Sequence, residues 1–470
     1  MKHSDNIIGI VLAAGQGTRM KSDRAKVLWP LAGRPMAAWA VDAVRAAGAT
    51  RVVVVVGYAH VQVAETLRAV AGDLETAHQV VQRGTGDAVR AALELLEGAS
   101  GHVLITYGDC PLVRPEALSA LVAAARGATA PVAMLTGTLE DPTGYGRIVR
   151  EHGGRVVGIR EHKDASPTER AIREVNPGVY CVELGFLRHA VARLAANNAQ
   201  GELYLTDLVA MSLERGGTVA VPWDMAELRG VNDRFELATA EAALRLRLAR
   251  AHALTGVTIR DPATTWIDAS VTIGHDAVIE AGVHLRGRTT IGAGARIDVG
   301  CVLEDVEVAA GAWLRPYSVA TRSRVGHAAQ VGPFSHLRPG SDLGENVHVG
   351  NFVETKQTRL GRGSKANHLA YLGDGEIGEN VNVGAGTIFC NYDGARKHVT
   401  VLEDDVFVGS DSQLVAPVRV GKGAYIGSGS TITKDVPADA LAISRVKQQN
   451  KEGYASKLRA RRLAEAKKNV

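Results

Sequence analysis

An aliphatic residue stands at every sixth position through long stretches of the second half of this chain. The pattern occurs in three runs: Ile273, Ile279, Leu285, Ile291, Ile297 and Leu303; Val325, Val331, Leu337, Leu343 and Val349; and Val408, Leu414, Val420, Ile426 and Ile432. In such a repeat each six-residue rung supplies one inward side chain and one turn, and three rungs close a triangular coil. The second half is therefore predicted to be a parallel β-helix of roughly ten coils.

The first half has a different periodicity, in which short apolar runs alternate with amphipathic segments. The apolar runs are residues 7–12, 52–56 and 102–106, and the amphipathic segments are residues 36–47, 61–70 and 88–96. Consecutive β-branched residues indicate strands covered on both faces, so we expect a mostly parallel sheet with helices on each side. Ligands bind beyond the carboxyl ends of such strands, where glycine-bearing turns follow all three runs.

A single long helix is predicted between the two halves, because Leu237, Ala240, Leu244 and Leu248 recur at helical spacing. The predicted domains are therefore residues 1–234, a linker helix at residues 235–255, and residues 256–470 with a C-terminal tail.

The composition is typical of a soluble globular protein with two or three domains. Of the 470 residues, 46% are hydrophobic and 22% are charged, and the formal net charge is only +4. Much of the basic excess lies in residues 447–468, which we interpret as a solvated helix or a frayed terminus. No aromatic residues interleave with a broad basic surface, so the sequence gives little support to nucleic-acid binding.

Cysteine usage and hydropathy favour a cytoplasmic protein. Cys110, Cys181, Cys301 and Cys390 are far apart and form no CxxC pair, so we expect reduced thiols rather than disulfides or a zinc site. The first residues run straight into a strand pattern without a charged and apolar leader, and no apolar stretch approaches the roughly 20 residues that cross a bilayer. We expect no membrane insertion.

The loop after the first strand has the character of a phosphate-binding loop. It reads LAAGQGTRM over residues 12–20, which matches neither a Walker loop nor a dinucleotide fingerprint. Small residues let backbone N–H groups approach an anion, Arg19 adds a fixed cationic fork, and Lys26 follows seven residues later. Each feature alone would indicate a tight turn or a solvated cation, but their combination at a strand end favours a nucleotide site.

These residues resemble a known family, the sugar-nucleotide pyrophosphorylases. The resemblance continues through Gln79, Gly84-Thr85-Gly86, Tyr107-Gly108-Asp109, Gly144-Tyr145-Gly146-Arg147, Glu161, Asn176 and Gly230-Val231-Asn232. Joined to a hexapeptide-repeat half, the chain is similar over nearly its whole length to the bifunctional N-acetylglucosamine-1-phosphate uridyltransferase/glucosamine-1-phosphate N-acetyltransferase family of bacterial cell-envelope synthesis. The implied fold class is α/β, with a Rossmann-like nucleotidyltransferase domain, a long linker helix and a left-handed parallel β-helix.

The resemblance implies two consecutive reactions. Acetyl-CoA acetylates glucosamine 1-phosphate, and UMP is then transferred from UTP to N-acetylglucosamine 1-phosphate with release of pyrophosphate. The implied partners are these small molecules and further copies of the chain, because the family is trimeric.

For uridylyl transfer the resemblance implies that Asp109 and Asn232 bind one Mg²⁺, an ion that takes few protein ligands beside phosphate and water oxygens. Position alone leaves other roles open, since Asp109 could form the turn after its strand and Asn232 could cap the linker helix. Arg19 and Lys26 would offset charge on the α-phosphate and the departing pyrophosphate.

The same resemblance implies a wider set of contacts in this domain. The implied nucleotide-binding residues are Leu12, Ala13, Ala14, Gly15, Lys26, Gln79, Gly84, Thr85, Tyr107, Gly108 and Asp109, of which Gln79, Gly84 and Thr85 would read the uracil. The implied sugar-phosphate contacts are Gly146, Glu161, Asn176 and Asn232.

A cluster of polar residues interrupts the plain repeats between Arg338 and Tyr392. The family's HLxYLGD segment matches residues 368–374, which implies that His368 is the base that removes the amine proton. The ordinary histidine pKa of about 6.5 suits this task, although a single histidine in a solenoid is more often a surface residue. Asn367 stands where we associate glycine with the family pattern.

The resemblance assigns the remaining residues of the acetyl-transfer site to two groups. The glucosamine 1-phosphate group is Arg338, Lys356, Tyr371 and Asn382, and the acetyl-CoA group is Ala385, Asn391, Tyr392, Ser410, Ser428 and Arg445.

Two other interpretations fit part of the sequence. The chain could be a pyrophosphorylase whose β-helix serves only assembly or regulation. It could also be a nucleotide sensor on a repeat scaffold, which the set of Arg19, Lys26, Asp109 and Asn232 argues against, because a sensor needs no metal-assisted release of pyrophosphate.

Overall fold

The computed structural model describes residues 6–468, without the side chain of Lys468, and divides them into two compact units. The first unit runs to Ala251 and also contains Trp266–Ser270, and the second contains His252–Thr265 and the chain from Val271 onward. Residues 1–5 and 469–470 of the predicted domains lie outside the described residues, and the predicted boundaries at residues 234 and 255 stay a prediction.

The first unit is built on one large sheet, which confirms the predicted α/β class. Its strands, with a small hairpin at β2 and β3, are β1 (Ile7–Ala13), β2 (Pro30–Leu31), β3 (Arg34–Pro35), β4 (Arg51–Val56), β5 (Glu75–His78), β6 (His102–Tyr107), β7 (Val132–Thr138), β8 (Gly146–Arg150), β9 (Val156–Arg160), β10 (Glu174–Asn176), β11 (Tyr180–Glu183) and β12 (Thr218–Pro222). The order is β5-β4-β1-β6-β11-β7-β10-β8-β9, with β12 beside β7. Strands β5, β4, β1 and β6 are mutually parallel, whereas β11 runs antiparallel to both β6 and β7.

Helices cover both faces of this sheet. They are α1 (Met36–Ala46), α2 (His60–Ala71), α3 (Thr85–Glu94), α4 (Pro115–Gly127), α5 (Pro167–Arg170), α6 (Leu184–Ala192), α7 (Asp207–Ser212), α8 (Met225–Leu228) and α9 (Arg234–Leu254), with 3₁₀ turns at Thr18–Met20, Lys26–Leu28 and Leu213–Arg215. Alternate residues of β1 enter two different cores, since Val11 packs in the core that contains α1 and Ile10 in the core that contains α3. Burial on both faces explains why these strands read as continuous apolar runs.

The predicted linker helix is α9. Its buried Ala240 and Leu244 pack with Leu31 and Met36 of the first unit. Up to Ala251 the helix therefore belongs to the first unit rather than standing apart from it.

The second unit is the predicted β-helix, in which three parallel sheets form the sides of a triangular coil. The first sheet contains Thr258–Ile259, Val278–Ile279, Arg296–Ile297, Trp313–Leu314, Gln330–Val331, His348–Asn351, Lys365–His368, Asn382–Val383, Phe407–Val408, Tyr425–Ile426 and Leu441–Ala442. The second contains, within this unit, His284–Arg286, Val302–Glu304, Val319–Thr321, His336–Leu337, Glu354–Lys356, Tyr371–Gly373, Ile388–Cys390, Gln413–Val415 and Thr431–Ile432. The third contains Thr272–Ile273, Thr290–Ile291, Glu307–Val308, Arg324–Val325, Asp342–Leu343, Arg359–Leu360, Gly375–Ile377, Thr400–Leu402 and Val418–Val420. A short strand, Trp266–Ile267, lies in the segment assigned to the first unit.

The aliphatic residues of the repeat form the core of the β-helix. Ile279, Leu285 and Ile297 have no exposed side-chain surface, and Ile291 has almost none. Each strand pairs in register with the strand one coil further on, as Ile279 does with Ile297. The six-residue repeat of the sequence, taken three rungs at a time, therefore sets the spacing between equivalent residues of stacked coils.

The chain ends in α10 (Tyr454–Lys468), whose described side chains are almost all exposed, as the charge pattern predicts. No helix in residues 6–468 combines the length and the apolar character that a membrane span requires.

Candidate active sites

The first candidate site lies where β1 and β6 end side by side. The two strands are parallel neighbours, with Leu12 opposite Tyr107, so the loop after β1 and the turn after β6 leave the same edge of the sheet. The backbone N–H of Gly108 donates to the carbonyl of Leu12 at 2.9 Å. The predicted phosphate loop and Asp109 are therefore adjacent, as expected for ligand sites in open α/β sheets.

A cavity of about 310 Å³ opens at this edge. Its lining residues are Leu12, Ala13, Ala14, Gly15, Lys26, Val27, Gln79, Gln82, Gly84, Thr85, Ala88, Tyr107, Asp109 and Glu202. All the predicted nucleotide-binding residues except Gly108 are among them. Two of the lining residues were not predicted from the sequence: Gln82, which donates to the carbonyl of Ala14 at 2.7 Å, and Glu202.

Four polar side chains meet at the phosphate end of this site. The ammonium of Lys26 forms an ion pair with Asp109 and lies 3.4 Å from the side-chain oxygen of Asn232, which also accepts from Arg19 at 2.9 Å. The N–H of Val231 donates to the carbonyl of Asp109 at 2.8 Å, which fixes the Asn232 segment beside the turn after β6. The residues come from three distant parts of the sequence and converge on one point.

The alternative role of Asn232 as a helix cap is wrong. The carboxylate of Asp233 caps α9, because it accepts from the N–H groups of Phe235 at 2.9 Å and Glu236 at 2.8 Å. The side-chain oxygen of Asn232 is therefore left to face Arg19 and Lys26.

The donor set fits a magnesium ion. The carboxylate of Asp109 and the amide oxygen of Asn232 both contact the ammonium of Lys26, so two hard oxygen donors already point at one positive charge. Magnesium takes few protein oxygens when phosphates supply the others. In residues 6–468 no group of three or more His, Cys, Asp or Glu side chains is arranged to hold a metal ion.

The sugar-phosphate residues lie on the antiparallel part of the sheet. Burial raises the pKa of Glu161. A Cβ atom at Gly146 would lie 3.3 Å from the Glu161 carboxylate and 2.8 Å from Ile159, so a larger residue would crowd that carboxylate. Asn176 is buried; its amide donates to the Tyr180 hydroxyl at 2.6 Å and accepts from the N–H of Gly178 at 2.9 Å, which orders the turn after β10.

The second candidate site runs along one edge of the β-helix, where the first sheet turns into the second. Four predicted residues stand just before this turn in successive coils: His368, Ala385, Ser410 and Ser428. The residues that follow the last three are Gly386, Asp411 and Gly429, and the backbone N–H of each donates to a carbonyl of the previous coil. Arg445, one coil further on, donates to the carbonyl of Ser428. Four of the predicted acetyl-CoA residues, Ala385, Ser410, Ser428 and Arg445, thus form a row that extends from His368 toward the C-terminus.

His368 is held by a residue that the sequence analysis did not identify. His368 and Asn351 are in register on neighbouring strands, and Nδ1 of His368 lies 3.0 Å from Oδ1 of Asn351. An amide oxygen can only accept, so Nδ1 carries the hydrogen and Nε2 is left as the basic nitrogen. Asn367, the departure from the family pattern, has extended backbone within the strand Lys365–His368.

The predicted sugar-phosphate residues lie mainly on the second sheet. Arg338 pairs with Glu354 at 2.7 Å, and Glu354 is in register with Tyr371. A Cβ atom at Gly373 would lie 2.5 Å from the Tyr371 hydroxyl and 2.6 Å from the amide nitrogen of Asn391. Only glycine at this position therefore leaves room for both groups beside the backbone.

A second lysine joins this group. The neighbouring amine of Lys397, together with burial and other positive charge, lowers the pKa of Lys356. Lys397 belongs to the loop that also presents the exposed Tyr392, and an isolated β-bridge joins Tyr392 to Lys397. Asn382 lies apart from the others on the first sheet, between Lys365 and Phe407 in register.

A larger concavity of about 810 Å³ lies along the third sheet. Arg324, Asp342, Arg359 and Glu376 stand in register there with alternating charge, and Arg324 pairs with Asp342 at 2.8 Å. None of the predicted site residues lines it.

Comparison with known proteins identifies both halves. Residues 9–171 match the MobA-like NTP transferase domain, and residues 400–434 match the bacterial transferase hexapeptide with six repeats. A bifunctional GlmU protein of Sorangium cellulosum is 58% identical over 468 residues, which cover 98% of each chain. The bifunctional GlmU proteins of Pelobacter propionicus and Geobacter sulfurreducens are 49% and 50% identical, over 97% of this chain and 99% of theirs.

An NTP-transferase sheet and a hexapeptide-repeat β-helix in one chain define a two-domain transferase. At this level of identity over nearly its full length, the chain belongs to the GlmU family of bifunctional proteins. It is an enzyme with a domain for uridylyl transfer and a domain for acetyl transfer.

Proposed function

We propose that the β-helix acetylates glucosamine 1-phosphate with acetyl-CoA, and that the first domain then joins UMP from UTP to the resulting N-acetylglucosamine 1-phosphate. The observation that carries this proposal is the convergence of Arg19, Lys26, Asp109 and Asn232 at the mouth of the cavity between β1 and β6. A site for two polyanions needs this density of cations and metal-binding oxygens.

In uridylyl transfer the sugar phosphate attacks the α-phosphate of UTP, and pyrophosphate leaves. Arg19 and Lys26 lie where they offset negative charge on the reacting phosphates, and the small residues at 13–15 admit the triphosphate close to the backbone. Asp109 and Asn232 would hold Mg²⁺, which when bound neutralises phosphate charge and aligns the two substrates. The orientation gained in this way accounts for much of the catalysis in phosphoryl-transfer sites.

The sugar lies against the antiparallel part of the sheet in this proposal. Glu161 accepts from sugar hydroxyls, Gly146 keeps space beside its carboxylate, and Asn176 presents the turn that it orders.

In acetyl transfer the sugar amine attacks the thioester carbonyl of acetyl-CoA. The C–N bond forms, the C–S bond breaks, Nε2 of His368 takes a proton from the amine, and the CoA thiolate leaves. The side-chain amide oxygen of Asn351 accepts from Nδ1 and holds the ring so that Nε2 faces the substrate. Arg338, Lys356 and Lys397 supply the positive charge that binds the sugar phosphate.

Acetyl-CoA would follow the row that runs from His368 past Ala385, Ser410 and Ser428 to Arg445. This row supports an elongated ligand, because it spans successive coils along one edge. Asn391 and Tyr392 would border it from the adjacent loop.

We further propose a homotrimer, in which neighbouring copies complete the acetyl-transfer site. Asn382 and Tyr371 lie on different sheets of one copy, an arrangement that supports a site to which a second copy contributes. Tyr317, Phe334, Phe352 and Leu369 also form an exposed apolar ridge on successive coils below His368, which is typical of a protein interface.

A cytoplasmic location is part of the proposal. It is supported by four free cysteines, and burial raises the pKa of both Cys181 and Cys301 to about 12, so these thiols stay protonated.

The proposal is tested by incubating the purified protein with acetyl-CoA, glucosamine 1-phosphate, UTP and Mg²⁺. Free CoA, pyrophosphate and UDP-N-acetylglucosamine are expected. In His368→Ala the release of CoA should fall by at least about 100-fold, the low end for loss of a general base, while N-acetylglucosamine 1-phosphate supplied directly still yields pyrophosphate. If CoA release persists in that variant, the β-helix does not use His368, and if the unaltered protein releases no CoA, the β-helix serves only assembly or regulation.

A further inference from the structure

The side-chain amide of Gln79 is fixed in one orientation. Gln79 follows β5, is almost fully buried, and lines the nucleotide cavity. Its Nε2 donates to the carbonyl of Gly84 at 3.1 Å and to the carboxylate of Asp87 at 3.0 Å. Both partners are acceptors only, so the two hydrogens of the amide must face them and the oxygen must face the other way.

In this orientation Oε1 of Gln79 is an acceptor at the end of the cavity that would take the nucleobase. Within residues 6–468 no donor contacts Oε1 of Gln79. Uracil carries an N–H at N3, whereas the same nitrogen of cytosine is unprotonated and accepts a hydrogen bond. An acceptor held at this point therefore accepts from N3–H of uracil, but it faces the lone pair on N3 of cytosine. A buried site whose polar groups match one base strongly rejects a base that leaves those groups unpaired.

We propose that Asp87 is a positioning residue that sets base selectivity: it holds Gln79 with its oxygen toward the base, so that uridine triphosphate is accepted and cytidine triphosphate is rejected. The inference rests on the uridylyl transfer proposed above and adds a determinant that the sequence motifs do not contain.

Local geometry explains why Asp87 can do this. The turn at Gly84 has a φ of +105°, which only glycine adopts readily, and it brings the start of α3 back toward β5. Asp87 lies in the first turn of α3, where the helix dipole favours an ionised carboxylate. The Arg90 guanidinium is 4.0 Å away. An ionised carboxylate at this position accepts from Gln79 in a hydrogen bond of the stronger, charge-assisted kind.

Without Asp87, the second N–H of Gln79 has no acceptor in a nearly buried place. The amide then gains by rotating toward whichever base supplies a partner. A purely structural role of Asp87 would instead weaken the use of every nucleotide alike.

The test compares kcat/KM for UTP with kcat/KM for CTP, with pyrophosphate release as the readout. Asp87→Ala is expected to reduce the UTP-to-CTP ratio about tenfold, the effect of one charge-assisted hydrogen bond. Asp87→Asn retains an acceptor oxygen and should keep most of the parent ratio. Glu94→Ala is the control, because it removes an exposed carboxylate from the same helix; it should leave the UTP-to-CTP ratio unchanged.

Equal loss of UTP and CTP use in Asp87→Ala would overturn the inference and leave uridylyl transfer intact as a proposal. Failure of the unaltered enzyme to release pyrophosphate from UTP would instead overturn the proposed function itself. Thermal midpoints of the variants separate both outcomes from unfolding.

Discussion

Asn232 illustrates how one contact distinguishes two roles that a sequence position allows. An asparagine just before a helix is a good N-cap, but the neighbouring Asp233 performs that task. The oxygen of Asn232 meets Arg19 and Lys26 instead. The sequence could not decide whether Asn232 is the cap, because Asn232 and Asp233 are adjacent and both residue types suit a cap. Only the position of the first helical turn in the structure shows that Asp233 is the cap.

At the same scale, Glu161 makes sugar binding dependent on pH. Burial raises its pKa, so the carboxylate takes up a proton at a higher pH than an exposed glutamate does. The protonated form is a weaker acceptor for sugar hydroxyls. The KM for N-acetylglucosamine 1-phosphate should therefore rise as the pH falls through this raised pKa.

Glu161→Gln isolates this effect, because the substrate phosphate titrates equally with both enzymes. The variant should show a higher KM near neutral pH and a smaller change of KM on acidification than the parent. Parallel KM-against-pH curves for the two enzymes would exclude Glu161 as the titrating contact.

Asn351 gives a second prediction at residue scale. In Asn351→Asp a carboxylate replaces the amide oxygen beside Nδ1 of His368 and stabilises the protonated imidazole. The acid limb of the pH profile for acetyl transfer should move about one unit to higher pH, the low end for a neighbouring opposite charge.

Asn346→Asp is the matched control, since its side-chain amide donates to Glu345 rather than contacting His368, and the turn already has a positive φ that Asp tolerates. An acid limb that moves equally in both variants would show a general charge effect rather than a contact with His368.

At the scale of elements, the stacking of the β-helix coils depends on close backbone approaches. A Cβ atom at Gly350 would lie 2.0 Å from the carbonyl oxygen of Asn367 in the next coil. Because that neighbour is backbone, Gly350→Ala should destabilise the β-helix by about 3 kcal/mol, the upper end of the usual cost of overpacking, and lower its calorimetric transition.

Gly427→Ala is the comparison for this prediction. Its new Cβ atom would meet Cγ1 of the Ile443 side chain at 2.9 Å; because this neighbour is a side chain that can rotate rather than backbone, the loss should be clearly smaller. Equal transition temperatures for the two variants would contradict the steric explanation.

Elements also show what the sequence can and cannot predict. The sequence predicts the β-helix and the strands β1, β4 and β6, because the pattern that indicates each of them lies within a single rung or strand. The partners Asn351 and Lys397 and the orientation by Asp87 were missed, because they depend on which residues become neighbours after the coils stack or the Gly84 turn closes. Likewise, the antiparallel insertion of β11 between β6 and β7 joins distant segments and leaves no local pattern.

At the scale of the whole molecule, the chain joins two transferases with separate cores. Each predicted set of catalytic residues falls within one unit, since Arg19, Lys26, Asp109 and Asn232 lie in the first and His368 in the second. Loss of a charged group in one core should therefore leave chemistry in the other unaffected, since substitutions at independent sites have additive effects.

The most direct test of this account measures both activities in purified Asp109→Ala. Uridylyl transfer from UTP to N-acetylglucosamine 1-phosphate should fall by at least about 1000-fold, comparable to losing a major electrostatic contact in a transition state. Acetylation of glucosamine 1-phosphate should stay within about twofold of the parent rate, as additivity of independent sites requires. A folded variant that retains uridylyl transfer, or that loses both activities together, would contradict the account.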